Sequence, residues 1–334
     1  RSLRLVVLNA HAASTVRPSA VELITSLVAA CGDAYWEIEA SRLETVRVLG
    51  DGEFGEVMMM LLAGVDNEND RTIVAVKTLK AVALSSSIED NNKRDAAFQQ
   101  ELSLMKTLRH PNLVSLVGAN LRTKPHIIVV EFLAGGSLDG WLQTNALQLQ
   151  LWHCQRILLG VARGMAALAV RNIVHRDLAA RNVLVGEKTH VKVSDFGLSR
   201  RIDYDQDYYT MKGSGVVPLR WTAPECVAAF KWSTQSDVYA FGVVISEVFS
   251  CSSLPFPALS DGELLTALAN PRVALDEHLR FSLATIEAPL LFRVLATNCL
   301  HRNPHERPTF RDVVVTMLSS PSSSQQKKTK KILG

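Results

Sequence analysis

Two adjacent glycines, Gly135 and Gly136, separate stretches with different hydrophobic periods, and this change constrains the fold more than any other feature of the 334 residues. Before it, short apolar and β-branched runs predict strands over 43–50, 55–62, 73–78, 114–118 and 126–132. One helix interrupts them. Over 96–108, Phe98, Leu102, Met105 and Leu108 fall on one face, and His110-Pro111-Asn112 stops the run. The polar, serine-rich stretch 85–94 reads as a loop. After the glycines the period becomes helical, over 138–147 and 153–170, with Ile157, Val161, Met165 and Leu168 on one face. Two short strands, 183–185 and 191–193, precede a mainly helical region from Ser233 to Met317. This order predicts an α+β chain: a small β-rich lobe, a larger helical lobe, and a cleft between them for a ligand.

Composition narrows the classes of function. Hydrophobic residues make up 47% and charged residues 21%, which excludes a disordered chain or a small disulfide scaffold. The net charge is +3, but Lys327, Lys328, Lys330 and Lys331 all lie in the acid-free stretch 321–334, so the rest of the chain stands at −1. A body so close to neutral presents no nucleic-acid surface. Five scattered cysteines with no CxxC pair suggest neither a disulfide framework nor a zinc site, and fit a reducing compartment. No apolar run reaches membrane-spanning length. The chain begins at Arg1, which suggests a piece of a longer protein. A weak helical pattern covers 21–30, and the Ser, Gln and Lys-rich end, 320–334, reads as a disordered basic tail.

The chemistry sits in an ordered series of motifs. Gly50-Asp51-Gly52-Glu53-Phe54-Gly55 is a glycine-rich turn that lets backbone N–H groups approach phosphates. In a dinucleotide-binding unit such a turn opens a helix, whereas here apolar residues after Gly55 and a further strand favour a β-hairpin. Lys77 ends the apolar strand Val74-Ala75-Val76, and Glu101, 24 residues on, lies on the helix as a pairing partner. Next comes His175-Arg176-Asp177-Leu178-Ala179-Ala180-Arg181-Asn182, then Asp195-Phe196-Gly197, then Ala223-Pro224-Glu225. Each tripeptide alone means little, but the ordered set is chemically coherent. Asn182 and Asp195 offer oxygens to Mg²⁺, Lys77 offers charge to phosphates, and Asp177 places a carboxylate beside an attacking hydroxyl.

With these motifs in this order, the chain resembles a eukaryotic protein kinase domain from about Leu43 to Met317. The resemblance implies a two-lobed fold with an N-lobe over 43–132 and a C-lobe over 135–319. Residues 1–42 are then a flank, a juxtamembrane segment or a linker. The family transfers the γ-phosphoryl group of ATP, with Mg²⁺, to protein hydroxyls. Within the family, Ala179 and Arg181 after Asp177, and Val217-Pro218-Leu219-Arg220-Trp221-Thr222 before Ala223, resemble the tyrosine-specific branch. Asp177, Arg181, Lys77 and Glu101 become the catalytic set, and Asn182 and Asp195 the metal ligands. Leu49, Val57 and Ala75 roof the adenine and Leu184 floors it. Val130 takes the gatekeeper position, and Glu131 and Leu133 offer backbone groups. His175, Phe196, Met105 and Leu116 match a stacked hydrophobic spine anchored by Asp237, and Glu225 with Arg307 matches a buried ion pair.

Tyr204, Tyr208 and Tyr209 lie between the Asp195 and Ala223 motifs, three of only five tyrosines. Their spacing is similar to that in insulin-receptor-type and neurotrophin-receptor-type kinases. They become regulatory phosphosites, Tyr209 foremost, with Arg176 as receiver and Arg200 or Arg201 as helpers. Three departures from the family bear on the subfamily: a long connection between Lys77 and Glu101, Leu300 after Cys299, and an atypical stretch over 269–281. The implied partners are tyrosine-bearing protein substrates and phosphotyrosine-binding proteins, and the implied location is cytoplasmic, with a membrane receptor as one form of parent. The alternatives to an active tyrosine kinase are a pseudokinase interaction module and a tyrosine-kinase-like serine/threonine kinase. A dinucleotide-dependent oxidoreductase is more distant still.

Overall fold

A computed structural model describes residues 36–52, 55–64, 70–79, 88–202, 206, 208–210, 218–270, 275–279 and 287–319. The expected helix over 21–30 and the disordered tail over 320–334 lie outside the described residues. The chain forms two compact units, Arg1–Ala81 with Val117–Val130, and Val82–Leu116 with Glu131–Gly334. The helix that sequence pattern grouped with the first lobe thus clusters with the second.

The smaller unit is built on a sheet of five strands, β1 (Leu43–Gly52), β2 (Gly55–Ala63), β3 (Arg71–Leu79), β4 (Leu116–Asn120) and β5 (Ile127–Glu131), ordered β1-β2-β3-β5-β4. The strands β1 and β2 form an antiparallel hairpin closed by Gly52 opposite Gly55. The glycine motif therefore caps a hairpin, and no helix follows it, which removes the dinucleotide-binding reading. Apolar side chains of Met60, Val74, Val76, Ile127 and Val129 form the unit's core with Ile38. Residues 36–42, read as flank, contribute to this unit: Trp36 and Ile38 are buried, and the Ile38 N–H donates to the Ala119 carbonyl at 2.8 Å.

The larger unit begins with α1 (Ile88–Thr107), continues through α2 (Leu138–Thr144) and α3 (Leu151–Ala169), and passes through short strands β6 (Ile173–Val174), β7 (Val183–Val185), β8 (Val191–Val193) and β9 (Arg200–Arg201). Then follow β10 (Tyr209–Thr210), α4 (Pro224–Ala229), β11 (Lys231–Trp232), α5 (Thr234–Phe249), α6 (Asp261–Ala269), α7 (Leu290–Cys299) and α8 (Phe310–Ser319). The two-residue and three-residue strands pair as β6–β9, β7–β8 and β10–β11.

Several boundaries shift by about two residues, the strand expected over 114–118 lying at Leu116–Asn120 and the helix expected from 153 starting at Leu151, and two others differ for local reasons. Helix α1 starts at Ile88, inside the stretch read as a loop. That stretch lacks an apolar stripe, but 88–95 holds no Gly or Pro to break a helix. Helix α2 ends at Thr144 rather than 147, where both the backbone and the side-chain amide of Asn145 donate to the Trp141 carbonyl. Helix α5 is buried on nearly every face, which identifies it as the axis of the unit's core. Its start is fixed by a reciprocal cap between Ser233 and Ser236. This places Asp237 in the first turn, buried.

Candidate active site

The buried carboxylate of Asp237 organises the site. Its Oδ2 accepts the His175 N–H at 2.7 Å and its Oδ1 the Arg176 N–H at 3.0 Å. Burial pushes this carboxyl up to about 6, against the pull of His175 and Arg176. The clamp holds Arg176 at φ +71, a strained left-handed conformation for a non-glycine residue. The same clamp orients His175. Its Nδ1 accepts the Asp177 N–H at 3.3 Å, so the ring proton lies on Nε2, which donates to the Ser194 carbonyl at 3.0 Å. The ring also meets Phe196 edge-on, with centroids 5.7 Å apart. Met105 and Leu116, the other expected spine residues, are buried.

Asp177 is held at both carboxylate oxygens. Arg181 donates to Oδ1, and the Asn182 side-chain amide donates to Oδ2 at 2.8 Å and to the Asp177 carbonyl at 2.7 Å. With its nitrogen committed, Asn182 has Oδ1 left for a cation. The Asn182 carbonyl accepts from the Ser194 backbone N–H at 2.8 Å and from its hydroxyl at 2.9 Å, which ties the turn to the residue before Asp195. Asp195 sits at φ +59, and its Oδ1 accepts the Gly197 N–H at 3.3 Å. An amide oxygen and a carboxylate, brought together through Ser194, are hard oxygen donors of the kind Mg²⁺ takes. No cluster of three or more His, Cys, Asp or Glu side chains that could hold a metal occurs among the described residues, so a cation here would keep other ligands.

A residue missed in the sequence connects this loop to the segment after it. Glu247 of α5 is buried, and its Oε2 accepts both the Ala180 N–H at 2.9 Å and the Trp221 indole N–H at 3.0 Å. Burial pushes its carboxyl up to about 7; those hydrogen bonds and Arg181 pull it down, and Asp139 pushes it up further. The Arg181 guanidinium lies 4.5 Å from the Trp221 ring centroid, so one arginine contacts both Asp177 and the 218–222 segment. Arg220 fixes that segment from beneath by donating to the carbonyls of Pro255, Phe256 and Leu259 and to Asp261. A single acid inside the apolar run Val243–Phe249 was the available signal, since buried acids need partners. Farther away, Arg307 makes a bidentate pair with Glu225 at 2.6 and 2.8 Å.

Of the expected phosphosites, Tyr204 lies outside the described residues. Tyr209 is opposite Trp232 in the β10–β11 pair, and the Arg176 guanidinium lies 4.9 Å from both ring centroids. Lys231 covers the Tyr208 ring at 4.1 Å. Burial and then Arg200 lower the Arg176 pKa, which marks a concentration of positive charge next to Tyr209.

The expected nucleotide-binding residues divide between the units. In the smaller one, Gly50 and Lys77 lie opposite Val57 on its two sides, and Ala75 opposite Met59. Ala75 is buried, Val57 and Val130 are half-buried, and Leu49 is exposed. Glu53 and Phe54 lie outside the described residues, and Asp51 and Gly52 are described as strand backbone. The glycines differ in what they meet. A Cβ on Gly55 would stand 1.8 Å from the Thr78 carbonyl oxygen, whereas a Cβ on Gly50 would meet nothing within 4 Å. Packing explains the first; Gly50 keeps an open approach to its backbone, as a phosphate cradle requires. In the larger unit, Glu101 is buried on α1, Leu133 is buried, and Leu184 lies on β7. The Glu131 carboxylate accepts from Lys192 at 2.6 Å and the Ser115 N–H at 2.7 Å. Burial pushes this carboxyl up, but these bonds prevail and hold it below the usual range.

Comparison with known proteins identifies the family. The family model for protein tyrosine and serine/threonine kinases matches residues 43–317, and the chain belongs to that family. It is 38% identical over 294 residues to ephrin type-A receptor 3 of Danio rerio, covering 87% of this chain and 28% of the receptor. It is 38% identical over 275 residues to tyrosine-protein kinase SRK2 of Spongilla lacustris, covering 82% of this chain and 69% of that protein. Ephrin type-B receptor 3 of Danio rerio is 36% identical over 283 residues, 84% of this chain and 53% of the receptor. The chain thus spans under a third of the first receptor and about half of the second. The expected α+β fold, a β-sheet unit and a helical unit, is the fold of this family. Among the described residues, no helix is long and apolar enough to cross a membrane.

Proposed function

We propose that this chain is an active protein tyrosine kinase domain that transfers the γ-phosphoryl group of ATP to tyrosine hydroxyls of protein substrates. The observation that carries the proposal is the fixation of Asp177, with Arg181 on one carboxylate oxygen and Asn182 on the other. Asp177 takes the phenol proton as the phenolic oxygen bonds to the γ-phosphorus and the bond to the ADP leaving group breaks; the proton then passes to solvent. Arg181 keeps that carboxylate aimed and, with Trp221, forms the floor on which a tyrosine ring reaches it. Asn182 and Asp195 are the residues that hold Mg²⁺, which neutralises phosphate charge when bound. Lys77 holds the phosphates. In the smaller unit the Gly50 to Gly55 turn serves the phosphates and Leu49, Val57, Ala75 and Val130 serve the adenine; in the larger unit Glu131, Leu133 and Leu184 serve the adenine. Ala179 and the Arg181–Trp221 stack support a tyrosine acceptor over serine or threonine.

Phosphorylation of Tyr209, with Tyr204 and Tyr208, regulates the domain in this reading. Arg176 already lies on the Tyr209 ring, so a phosphate there gains a cationic receiver without a new element. The likeness to insulin-receptor-type activation loops rests on the tyrosine spacing alone, since the relatives above are ephrin receptors and a sponge tyrosine kinase. The domain works on the cytoplasmic side, within a receptor or a soluble kinase, and its phosphotyrosines recruit phosphotyrosine-binding proteins. Mass spectrometry after incubation with Mg-ATP tests the proposal. Phosphotyrosine on the chain and on a tyrosine-bearing protein, absent for Asp177→Asn, is the expected result. Phosphoserine alone supports the serine/threonine reading, and ATP binding without transfer supports the pseudokinase reading.

A further inference from the structure

A cavity of about 750 Å³ lies wholly within the larger unit, between α3, residues 110–112 and 189–191, the start of α7 and the end of α8. Its wall on α3 is a single stripe. Trp152, Arg156, Leu159 and Arg163 recur at intervals of four, three and four residues, so they project from one face. Arg156 and Arg163 are exposed, and neither makes an ion pair among the described residues. No residue lining the cavity is acidic. The apolar part of the wall includes Leu159 and, from α8, Met317 and Leu318; Leu318 is 56% exposed and Trp152 47%.

The charge is concentrated there. Burial first, then Arg171, Arg163 and Lys192, lower the pKa of His110 at the cavity edge. A second cavity, in the smaller unit, provides a contrast. It is lined by three acids and three arginines, and Arg71 pairs with Glu44 and Arg122 with Glu37. That cavity pairs two of its arginines with its own acids, whereas the one on α3 holds no acid to pair with Arg156 or Arg163.

We propose that the α3–α8 groove docks an acidic, apolar-anchored segment of a partner protein, with Arg156 and Arg163 pairing its carboxylates and Trp152, Leu159 and Leu318 receiving its apolar side chains. Charge complementarity selects this occupant. The chain's own continuation, 321–334, starts close to Leu318 but carries four lysines and no acid, so like charge opposes its docking. A concave pocket of this volume fits a peptide better than a flat anionic bilayer. The proposal requires no phosphoryl transfer and stands whether or not the catalytic reading holds.

The test uses the full chain and a fluorescein-labelled probe, Glu-Glu-Leu-Phe-Glu-Asp-Leu-Leu-Glu-Glu, blocked at both ends. Anisotropy gives affinity, and loss of any tryptophan emission change in Trp152→Phe assigns that change to the groove. Saturable binding that weakens about tenfold or more in Arg156→Glu/Arg163→Glu, and falls with added salt, is the expected result. Arg156→Lys/Arg163→Lys should keep most of the affinity, and an unchanged thermal midpoint shows that the charge-reversed variant is folded. Three outcomes overturn the proposal: no saturable binding, binding indifferent to charge reversal, or equal binding of the probe with lysine in place of each acid. Arginine-dependent binding to phosphatidylserine vesicles without binding to the peptide also overturns it, in favour of a membrane contact.

Discussion

Glu247→Gln isolates the electrostatic cost of joining the 175–182 loop to the 218–222 segment. The glutamate carboxyl is pushed from 4.5 to about 7, burial being the largest cause. A shift of that size corresponds to ~3 kcal/mol between the two protonation states. For an acid raised in the folded state, the proton is retained by the folded chain and lost by the unfolded chain between pH 4.5 and 7. Stability therefore falls as pH rises through that window. Glutamine cannot ionise, yet its Oε1 can accept from the Ala180 N–H and the Trp221 indole as Glu247 does. The stability of the variant relative to wild type should thus rise by ~3 kcal/mol from pH 4.5 to pH 8. Asp237, raised to about 6, titrates in an overlapping range but is present in both proteins and cancels in the difference. Urea unfolding at a series of pH values measures this directly. Parallel stability curves for the two proteins would show that Glu247 does not titrate in the folded state and would refute a desolvated carboxyl at this junction.

Three other perturbations probe separate elements. Gly55→Ala should destabilise the chain by ~3 kcal/mol or more, because the new Cβ meets backbone at 1.8 Å, while Gly50→Ala should leave stability within about 0.5 kcal/mol and raise KM for ATP; thermal melts and ATP titration read both. Arg307→Leu strands the Glu225 carboxylate and should cost ~3–5 kcal/mol in urea unfolding, with Glu225→Gln/Arg307→Leu recovering part of the loss. Tyr209→Phe keeps the ring against Arg176, so the melting temperature should hold while the activation gained by preincubation with Mg-ATP disappears; undiminished activation would assign control to another tyrosine.

What could be read in the sequence follows the range of the interactions involved. The β1–β2 hairpin was legible because two apolar runs and the glycines between them specify it locally, and the β7–β8 hairpin matched residue for residue. The mutual placement of Asp177, Arg181 and Asn182 was legible because they lie within six residues, so their hydrogen bonding follows from one turn of backbone. The start of α1 was not, since its first turns have no apolar face to reveal a period. Glu247 was missed for the opposite reason. It meets Ala180 and Trp221 across 67 and 26 residues, and only packing of α5 brings those partners to it. Asp237, 62 residues from His175, is equally distant from what it holds, and was found because the motif resemblance named it. Both acids extend from α5, the most buried helix of the unit, and each binds backbone N–H groups of the loop carrying Asp177. The loop's strained Arg176 is therefore sustained from the core. A change in α5 that leaves every motif intact should still misalign Asp177.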